Sequence, residues 1–434
     1  MAGFRAGCVR WRAWPKQPGD KHPKVQERRR IEIMAWKTTL TALAMAGLAM
    51  MYGPAHASSR WDEIVSKARG QTVYWNAWGG DERTNSFIDW VGKELQARYG
   101  ITVRQVKLSD TAEAVSRVIA EKAAGRDTDG SVDLMWINGP NFLSMKDKNL
   151  LYGPFTQLLP NYRYVDTESK PSNVTDFTVP VDGMESPWRL AQFVFNYDTA
   201  RVKDVPRTIA DFVPWAAAHP GRFTHPDVHD FMGATFLKQA LIELAPDRER
   251  LQQPAMDADF EKETAPLWGW YDKLKPLLWR HGQQFPANGP AARQLLNDGE
   301  IDLSVSFDPA EAAASVESGL LPETVRTYAL SGGTIGNTSF VAIPYNSPHK
   351  EAAMVAADFL LDPATQAHAQ DIRVLGSFTV LDLDKLSTEQ RKLFADLPTS
   401  PALPANTDLG PVLLEPHPSW MTRITDEWMR RYVK

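Results

Sequence analysis

Segments with strand-type and helix-type patterns alternate between residues 72 and 137, and this alternation restricts the fold more than any other feature. Three short runs rich in β-branched and aromatic residues predict buried strands: 72–75, 101–106 and 131–137. The segments between them carry apolar residues at helical spacing. Because such units join parallel strands through right-handed crossovers, we expect an α/β fold with a parallel sheet.

The loops that leave two of these strands are candidate ligand contacts. The first contains Asn76, Trp78 and Gly79, and the second contains Asn138 and Asn141. Ligands of open α/β sheets bind beyond the carboxyl ends of the strands, where both loops emerge. Trp78 could stack on a flat or cationic solute or pack on its own lobe. The two asparagines could bind ligand or serve the turns that Asn-Gly and Pro favour.

The N-terminal 57 residues have the pattern of an export signal. Lys37 precedes an uncharged run, 38–51, and a small-residue motif then predicts cleavage after Ala57. Translation could instead start at Met34. The run is shorter than the roughly 18 apolar residues that suggest a membrane span, so we expect a signal peptide and a periplasmic protein. A membrane-anchored N-terminal helix is the alternative.

Charge and cysteine content argue against several classes of function. The first 57 residues hold 10 of the 48 Lys and Arg but only 3 of the 53 Asp and Glu, so the remainder carries a formal charge of −12. Nucleic-acid binding needs clustered basic residues, and we expect no nucleic-acid partner. The only cysteine, Cys8, precedes the cleavage site, which removes disulfides, thiolate metal sites and cysteine nucleophiles from the mature chain.

A second region of alternating patterns follows the proline-spaced segment 160–187. Its strand-type runs lie at 188–197, 301–307 and 339–343, and its helix-type runs lie at 206–218 and 233–244. A second sheet is therefore expected, and the fold class is α/β with two sheets.

The order of these segments resembles the periplasmic substrate-binding proteins of ABC importers, which have the type II two-lobe fold. The resemblance covers about residues 70–370 and is carried by the run PWRLAQFVFNYD at 187–198, by PRTIADF at 206–212 with GRFT at 221–224, and by LNDGEID at 296–302. Within this extracellular solute-binding protein family, the chain is similar to the YnjB-like branch, which is related to thiamine, iron and polyamine binders.

The resemblance implies two hinge-linked lobes that close on a small solute, each lobe a mixed, mainly parallel sheet flanked by helices. We expect lobe one to comprise 58–190 and about 310–365, and lobe two to comprise 191–309 and about 366–434. The first crossing between lobes is expected near 188–196.

Three ligand candidates lie at the implied crossings. Trp188 and Gln192 belong to the first crossing, where a side chain can face both lobes and the ligand, and Asn337 ends a glycine-rich return turn. Gln192 could equally form a hydrogen bond between the lobes instead of binding the ligand.

Lobe two supplies the remaining candidates. Phe231, Gly233 and Thr235 lie at the start of a helix whose free N–H groups could receive an anionic group. Asp308 could contact the solute, although Asp-Pro after a strand also predicts a helix cap.

Metal and catalytic motifs are weak or absent in the sequence. His225 and His229 have the four-residue spacing of metal ligands on a helix, but Pro226 separates them. The sequence contains no His-Glu-x-x-His, Gly-x-Ser-x-Gly or Gly-x-x-x-x-Gly-Lys motif. We expect no metal and no cofactor. A catalytic pair of carboxylates of the glycosidase type stays an alternative, because a sequence does not show the distances between carboxylates.

We interpret the chain as a monomeric, non-enzymatic receptor that binds a small molecule and delivers it to the permease subunits of an ABC transporter. The aromatic residues in the predicted ligand loops favour a nitrogenous or thiamine-like solute. A secreted hydrolase or lyase on the same fold is the alternative from another class. A receptor that acts in sensing only is a third interpretation.

Overall fold

The computed structural model of the protein describes residues 54–404 and 409–433. The export-signal run 38–51, Met34 and Cys8 lie outside these residues. Ala57, after which cleavage is expected, lies within the first described helix. Across the described residues we find no helix long and apolar enough to cross a membrane.

Helices and strands alternate along the chain. The α-helices are α1 (Pro54–Ala68), α2 (Glu82–Tyr99), α3 (Ala112–Ala123), α4 (Pro140–Asp147), α5 (Phe212–Ala218), α6 (Phe231–Leu244), α7 (Asp257–Leu274), α8 (Gly289–Asn297), α9 (Glu311–Glu317), α10 (Lys350–Leu360), α11 (Pro363–Gln370), α12 (Thr388–Ala395) and α13 (Pro418–Tyr432). The strands are β1 (Thr72–Trp78), β2 (Thr102–Leu108), β3 (Leu134–Ile137), β4 (Thr175–Asp176), β5 (Val179–Pro180), β6 (Glu185–Gln192), β7 (Val194–Asp198), β8 (Leu303–Ser306), β9 (Val325–Tyr328), β10 (Thr334–Ala342) and β11 (Val412–Leu413).

The first sheet is mixed, as expected. Its strand order is β11-β10-β3-β1-β2, and β6 also pairs with β10. The three predicted N-terminal strands are parallel, because β1 pairs in parallel with both β2 and β3. Strand β10 runs antiparallel to β3 and to β6. The carboxyl ends of β1 and β3 therefore open at one edge.

Helix α2 shows how local sequence positions the elements of this sheet. Asp81 accepts a hydrogen bond from the Thr84 backbone N–H and caps the first turn. Phe87, Val91 and Leu95 bury one helix face. The helix ends at Gly100, whose φ of 69° is the left-handed conformation that glycine adopts without steric cost, as the sequence predicts.

The second sheet differs from expectation. It contains β8-β7-β9, and β7 pairs antiparallel with both neighbours, whereas we expected mainly parallel pairing. The direction of each strand follows from where the chain re-enters the lobe, which short-range patterns do not record. Helices α5, α6, α7 and α13 bury their apolar faces against this sheet.

The first crossing between the sheets occurs at Phe193. The predicted single strand 188–197 is two strands, because β6 pairs within the first sheet and β7 within the second. The Phe193 N–H donates a hydrogen bond to the Ile335 carbonyl oxygen at 2.7 Å. This bond joins the segment that leaves the first sheet to the strand that returns to it. Strand β10 makes the return, with Ile335 in the core of the second sheet and Val341 in that of the first.

The hydrophobic cores differ from the expected lobe boundaries. Ala312 and Leu321 pack with Leu296 beside the second sheet, although we expected this segment in lobe one. Leu381 and Phe394 pack in the core of the first sheet, although we expected them in lobe two. The reason is that α11 and α12 stay with the first sheet before the chain crosses a third time. We therefore propose that lobe one comprises 60–192 and 336–397, and lobe two 193–335, 402–404 and 409–433.

Candidate ligand site between the lobes

An ion pair connects the two lobes beside the carboxyl ends of the lobe-one strands. Nη2 of Arg189, on β6, lies 3.1 Å from Oδ2 of Asp308, which precedes α9 in lobe two. Both side chains are almost fully buried. Burial raises the pKa of Asp308 to about 6, and the positive charges of Arg189 and Arg83 oppose this rise. The other carboxylate oxygen accepts from the Ala310 N–H at 3.0 Å.

Two tryptophan rings flank the guanidinium of Arg189. Its Cζ lies 5.7 Å from the ring centroid of Trp136 and 5.5 Å from that of Trp188. Burial lowers the pKa of Arg189, while the negative charges of Asp308 and Asp81 oppose this effect. Its Nε is buried and has no hydrogen-bond partner among the described residues.

Arg83 brings a second guanidinium to this region. It lies in the first turn of α2, and its Nε is 4.0 Å from the carboxylate of Asp81. Nε and Nη1 of Arg83 are both buried without a hydrogen-bond partner in the described part of the chain. The positive charge of Arg83 adds to the lowering of the pKa of Arg189 and opposes the rise in the pKa of Asp308.

A second polar cluster surrounds Lys238 of α6. Its Nζ lies 2.6 Å from the carboxylate of Glu415, and neither side chain is accessible to solvent. Asn337 donates to the other oxygen of Glu415 at 3.1 Å. The ammonium also lies 4.4 Å from the Phe177 ring of lobe one and 4.7 Å from the Phe231 ring of lobe two. Burial lowers the pKa of Lys238, with Glu415 opposing the shift.

Comparison with known proteins identifies the family. Residues 90–395 match the model of the bacterial extracellular solute-binding proteins. The chain belongs to this family. Protein YnjB of Escherichia coli K12 is 42% identical over 389 residues, which cover 89% of this chain and 98% of YnjB. The resemblance inferred from the sequence is thereby confirmed.

Solved structures confirm the fold class of this solute-binding protein. The TpPotD lipoprotein of Treponema pallidum has a TM-score of 0.61 at 16% identity, with 83% of this chain and 99% of that chain covered. The periplasmic binding protein AfuA from Actinobacillus pleuropneumoniae has a TM-score of 0.58 at 14% identity, with 83% and 98% covered. At these identities the likeness concerns the fold alone.

The first predicted ligand loop of the solute-binding protein is part of a strand. Asn76, Trp78 and Gly79 were expected in a loop, but β1 continues to Trp78 and pairs with β2. Asn76 is fully buried, and its amide donates to the Tyr74 carbonyl at 3.2 Å. Trp78 is half-buried, at the carboxyl end of the strand. The Gly79 N–H donates to the Leu108 carbonyl at 2.9 Å.

The second predicted ligand loop surrounds the start of α4. Asn138 is half-buried, and its amide donates to the Thr338 carbonyl at 2.7 Å. Asn141 is half-buried within the first turn of α4. Between them, the Gly139 N–H donates to the buried Asp176 carboxylate at 2.6 Å. Burial raises the pKa of Asp176 well above its usual value.

The crossing candidates have structural roles. Trp188 is 1% exposed and packs against Trp75, Phe87 and Trp136, which assigns it to the core of lobe one. Gln192 donates to the Thr334 hydroxyl at 3.1 Å and to the Leu409 carbonyl at 3.0 Å. Asn337 belongs to β10 rather than to a flexible turn, since β10 begins at Thr334.

The candidates on α6 are positioned by the helix itself. The helix begins at Phe231, two residues earlier than predicted, and Asp230 caps it by accepting from the Met232 N–H. Gly233 is buried so closely that an added Cβ would lie 2.2 Å from the Asp227 carbonyl oxygen. The Thr235 hydroxyl donates to the Phe231 carbonyl at 2.7 Å. Phe231 itself is half-buried and packs against Phe307.

His225 and His229, which have the spacing of metal ligands, lie in different environments. His225 is fully buried, with Nε2 2.8 Å from the Tyr271 hydroxyl, whereas His229 is exposed and hydrogen-bonded to Asp227. Within the described ranges, no group of three or more His, Cys, Asp and Glu side chains could hold a metal ion.

Sequence reasoning missed Arg83, Arg189 and Trp136. Two of them carried a detectable signal. Arg83 lies in the first turn of a predicted helix, where the helix dipole disfavours a cation. Arg189 interrupts an otherwise apolar strand, where a charged side chain needs a specific partner. Trp136 carried no comparable signal, because an aromatic residue within a strand usually packs in a core.

Proposed function

We propose that this solute-binding protein is a periplasmic receptor that captures a small molecule between its lobes and delivers it to an ABC permease. The interlobe ion pair of Arg189 and Asp308 carries the proposal, because it lies beside the strand ends where α/β folds bind ligands. Lys238 of lobe two also contacts Phe177 of lobe one, so polar and aromatic side chains line the boundary from both sides.

The mechanism is differential affinity. A solute that contacts both lobes stabilises the closed arrangement over the open one, and binding therefore shifts the population towards closure. The closed form is the one that a permease would recognise. A monomer suffices for this mechanism, since both sides of the site belong to one chain.

For the solute we propose a nitrogenous, planar molecule. Trp78, Trp136 and Phe231 are all half-buried at the strand ends or at the lobe boundary, and aromatic faces attract cations and stack on flat rings. The fold alone does not determine the class of solute, because the structure of AfuA, which has the same fold, contains bound fructose-6-phosphate.

Closure can be measured directly on the mature chain. We expect a thermal-shift screen of thiamine, thiamine phosphates, polyamines, amino acids and sugars to give its largest shift among nitrogenous compounds, because a ligand that binds only the folded state raises its stability. The same compound should change tryptophan fluorescence and reduce the radius of gyration in small-angle scattering. A radius that stays constant at saturation would contradict closure.

Two further measurements separate the alternatives. Mass spectrometry of the recovered solute should find it unchanged, whereas a secreted hydrolase or lyase would release a product. Intact-mass analysis of the periplasmic fraction should give a chain that starts at Ser58. Recovery of the uncleaved chain from the membrane fraction would instead support the N-terminal anchor.

A further inference from the structure

We infer that Arg83 and Arg189 bind an anionic oxygen group of the solute, either a phosphate or a carboxylate. The inference rests on the proposed function and specifies the chemistry of its solute. The supporting observation is three guanidinium nitrogens that are buried and have no hydrogen-bond partner among the described residues. They are Nε and Nη1 of Arg83 and Nε of Arg189.

Among the described residues, no other buried Lys or Arg nitrogen lacks a hydrogen-bond partner. Nζ of Lys238 lies 2.6 Å from Glu415, and Nη1 of Arg293 lies 2.8 Å from Glu311. A buried donor without a partner destabilises a folded protein, so such donors are rare. Two arginines with free donors, whose charges both act on Asp308, therefore indicate a group that they bind.

The acidic neighbours of the two arginines are already engaged. Asp81 caps α2 by accepting from both the backbone N–H and the hydroxyl of Thr84. Asp308 accepts from Arg189 at Nη2 and from the Ala310 N–H. These bonds leave the Nε and Nη1 donors of Arg83 and the Nε donor of Arg189 for another acceptor.

The chemistry of the guanidinium group defines the ligand class. Its planar set of N–H donors matches the paired oxygens of phosphate and carboxylate groups. Arg189 is fixed by contacts with the rings of Trp136 and Trp188, so little side-chain entropy is lost on binding. A solute with a flat nitrogenous ring and an anionic group would use the aromatic side chains and the arginines together.

The test compares pairs of probes that differ only in the anionic group. Thiamine and thiamine monophosphate differ by a phosphate, and putrescine and ornithine differ by a carboxylate. Affinities are measured by calorimetry on the mature chain, with inorganic phosphate and acetate as minimal probes. We expect the anionic member of one pair to bind about tenfold more tightly or better, the effect of one charge-assisted hydrogen bond or more.

The Arg83→Gln variant should abolish most of this preference while the neutral or cationic member binds as before. Arg104→Gln is the matched control, because Arg104 is an exposed arginine on β2 of the same lobe. Arg189→Lys, which keeps the charge opposite Asp308 but loses the fork of donors, should weaken the preference without unfolding the protein. Circular dichroism checks that each variant is folded.

The possible outcomes test the anion site and the proposed receptor function separately. If the phosphate pair discriminates, the site binds phosphate, and if the carboxylate pair discriminates, it binds carboxylate. A solute that closes the lobes but binds equally to wild type and Arg83→Gln overturns the anion site and leaves the receptor role intact. If no probe of any class binds or changes the radius of gyration, both proposals are wrong.

Discussion

Arg189 of β6 and Asp308 of lobe two form an ion pair with 3.1 Å between Nη2 and Oδ2. The pair spans the boundary between the lobes and lies next to the first crossing at Phe193. We expect a movement that separates Asp308 from β6 to break this contact. The pair therefore links the stability of the closed arrangement to the groups that we propose bind the solute.

Asp308→Asn should destabilise the protein measurably. Removing the carboxylate leaves the buried guanidinium of Arg189 without its ion-pair partner, and such a loss typically costs about 3–5 kcal/mol. Urea denaturation should show the decrease in the free energy of unfolding. Lys392→Gln is the control, because Lys392 and Asp396 are exposed, and we expect a change of less than about 1 kcal/mol. Equal effects of the two substitutions would refute this assignment.

Trp78→Ala and Trp188→Ala should affect different properties. Trp78 is half-buried, so we expect its loss to remove most of the ligand-induced thermal shift while the melting point without ligand changes little. Trp188 is buried among aromatic rings, and its truncation should lower the free energy of unfolding by about 3–5 kcal/mol. Normal solute binding by Trp78→Ala would show that this side chain is not a ligand contact.

Gly233→Ala should destabilise α6, although alanine favours helices. Its Cβ would lie 2.2 Å from the Asp227 carbonyl oxygen, and a backbone atom cannot move away cheaply. We expect a loss of at least about 1–3 kcal/mol in chemical denaturation, the usual cost of overpacking. Gly269→Ala in α7 is the matched substitution, since nothing lies within 4 Å of its added Cβ, and it should stabilise by about 0.5–1 kcal/mol. A stabilised Gly233→Ala protein would contradict the close contact.

His225 should make folding stability depend on pH. Burial lowers the pKa of His225 from 6.5 to about 4, so between these values the unfolded chain binds more protons than the folded one. The contribution of neutral His225 to the free energy of unfolding is fully present above pH 6.5. It decreases by up to about 3 kcal/mol as the pH falls towards 4. His225→Gln should flatten this part of the pH profile. His229→Gln, at an exposed position in the same loop, is the control, and an unchanged profile in His225→Gln would refute the prediction.

Local sequence patterns predicted the three N-terminal strands of the first sheet, whereas β6 and β10, which were expected in the second sheet, also belong to the first. Apolar spacing at Phe87, Val91 and Leu95 and the glycine at position 100 place α2, because helical periodicity and a left-handed cap are properties of neighbouring residues. The family was recognisable for the same reason, since contiguous runs of residues carry the resemblance. The extent of β1 was harder to predict. Asn76 disfavours a strand locally, but it is paired with β2 on one side and with β3 on the other.

Residues close together in the chain specify the α/β class and the runs that identify the family, because periodicity and contiguous motifs are local properties. Contacts between distant residues instead determine which lobe each segment joins and which side chains meet between the lobes. Arg83, Arg189 and Asp308 lie far apart in the sequence, and only the crossing strands bring their charges together. Likewise Trp188, a ligand candidate in the sequence, became a core residue because Trp75, Phe87 and Trp136 surround it.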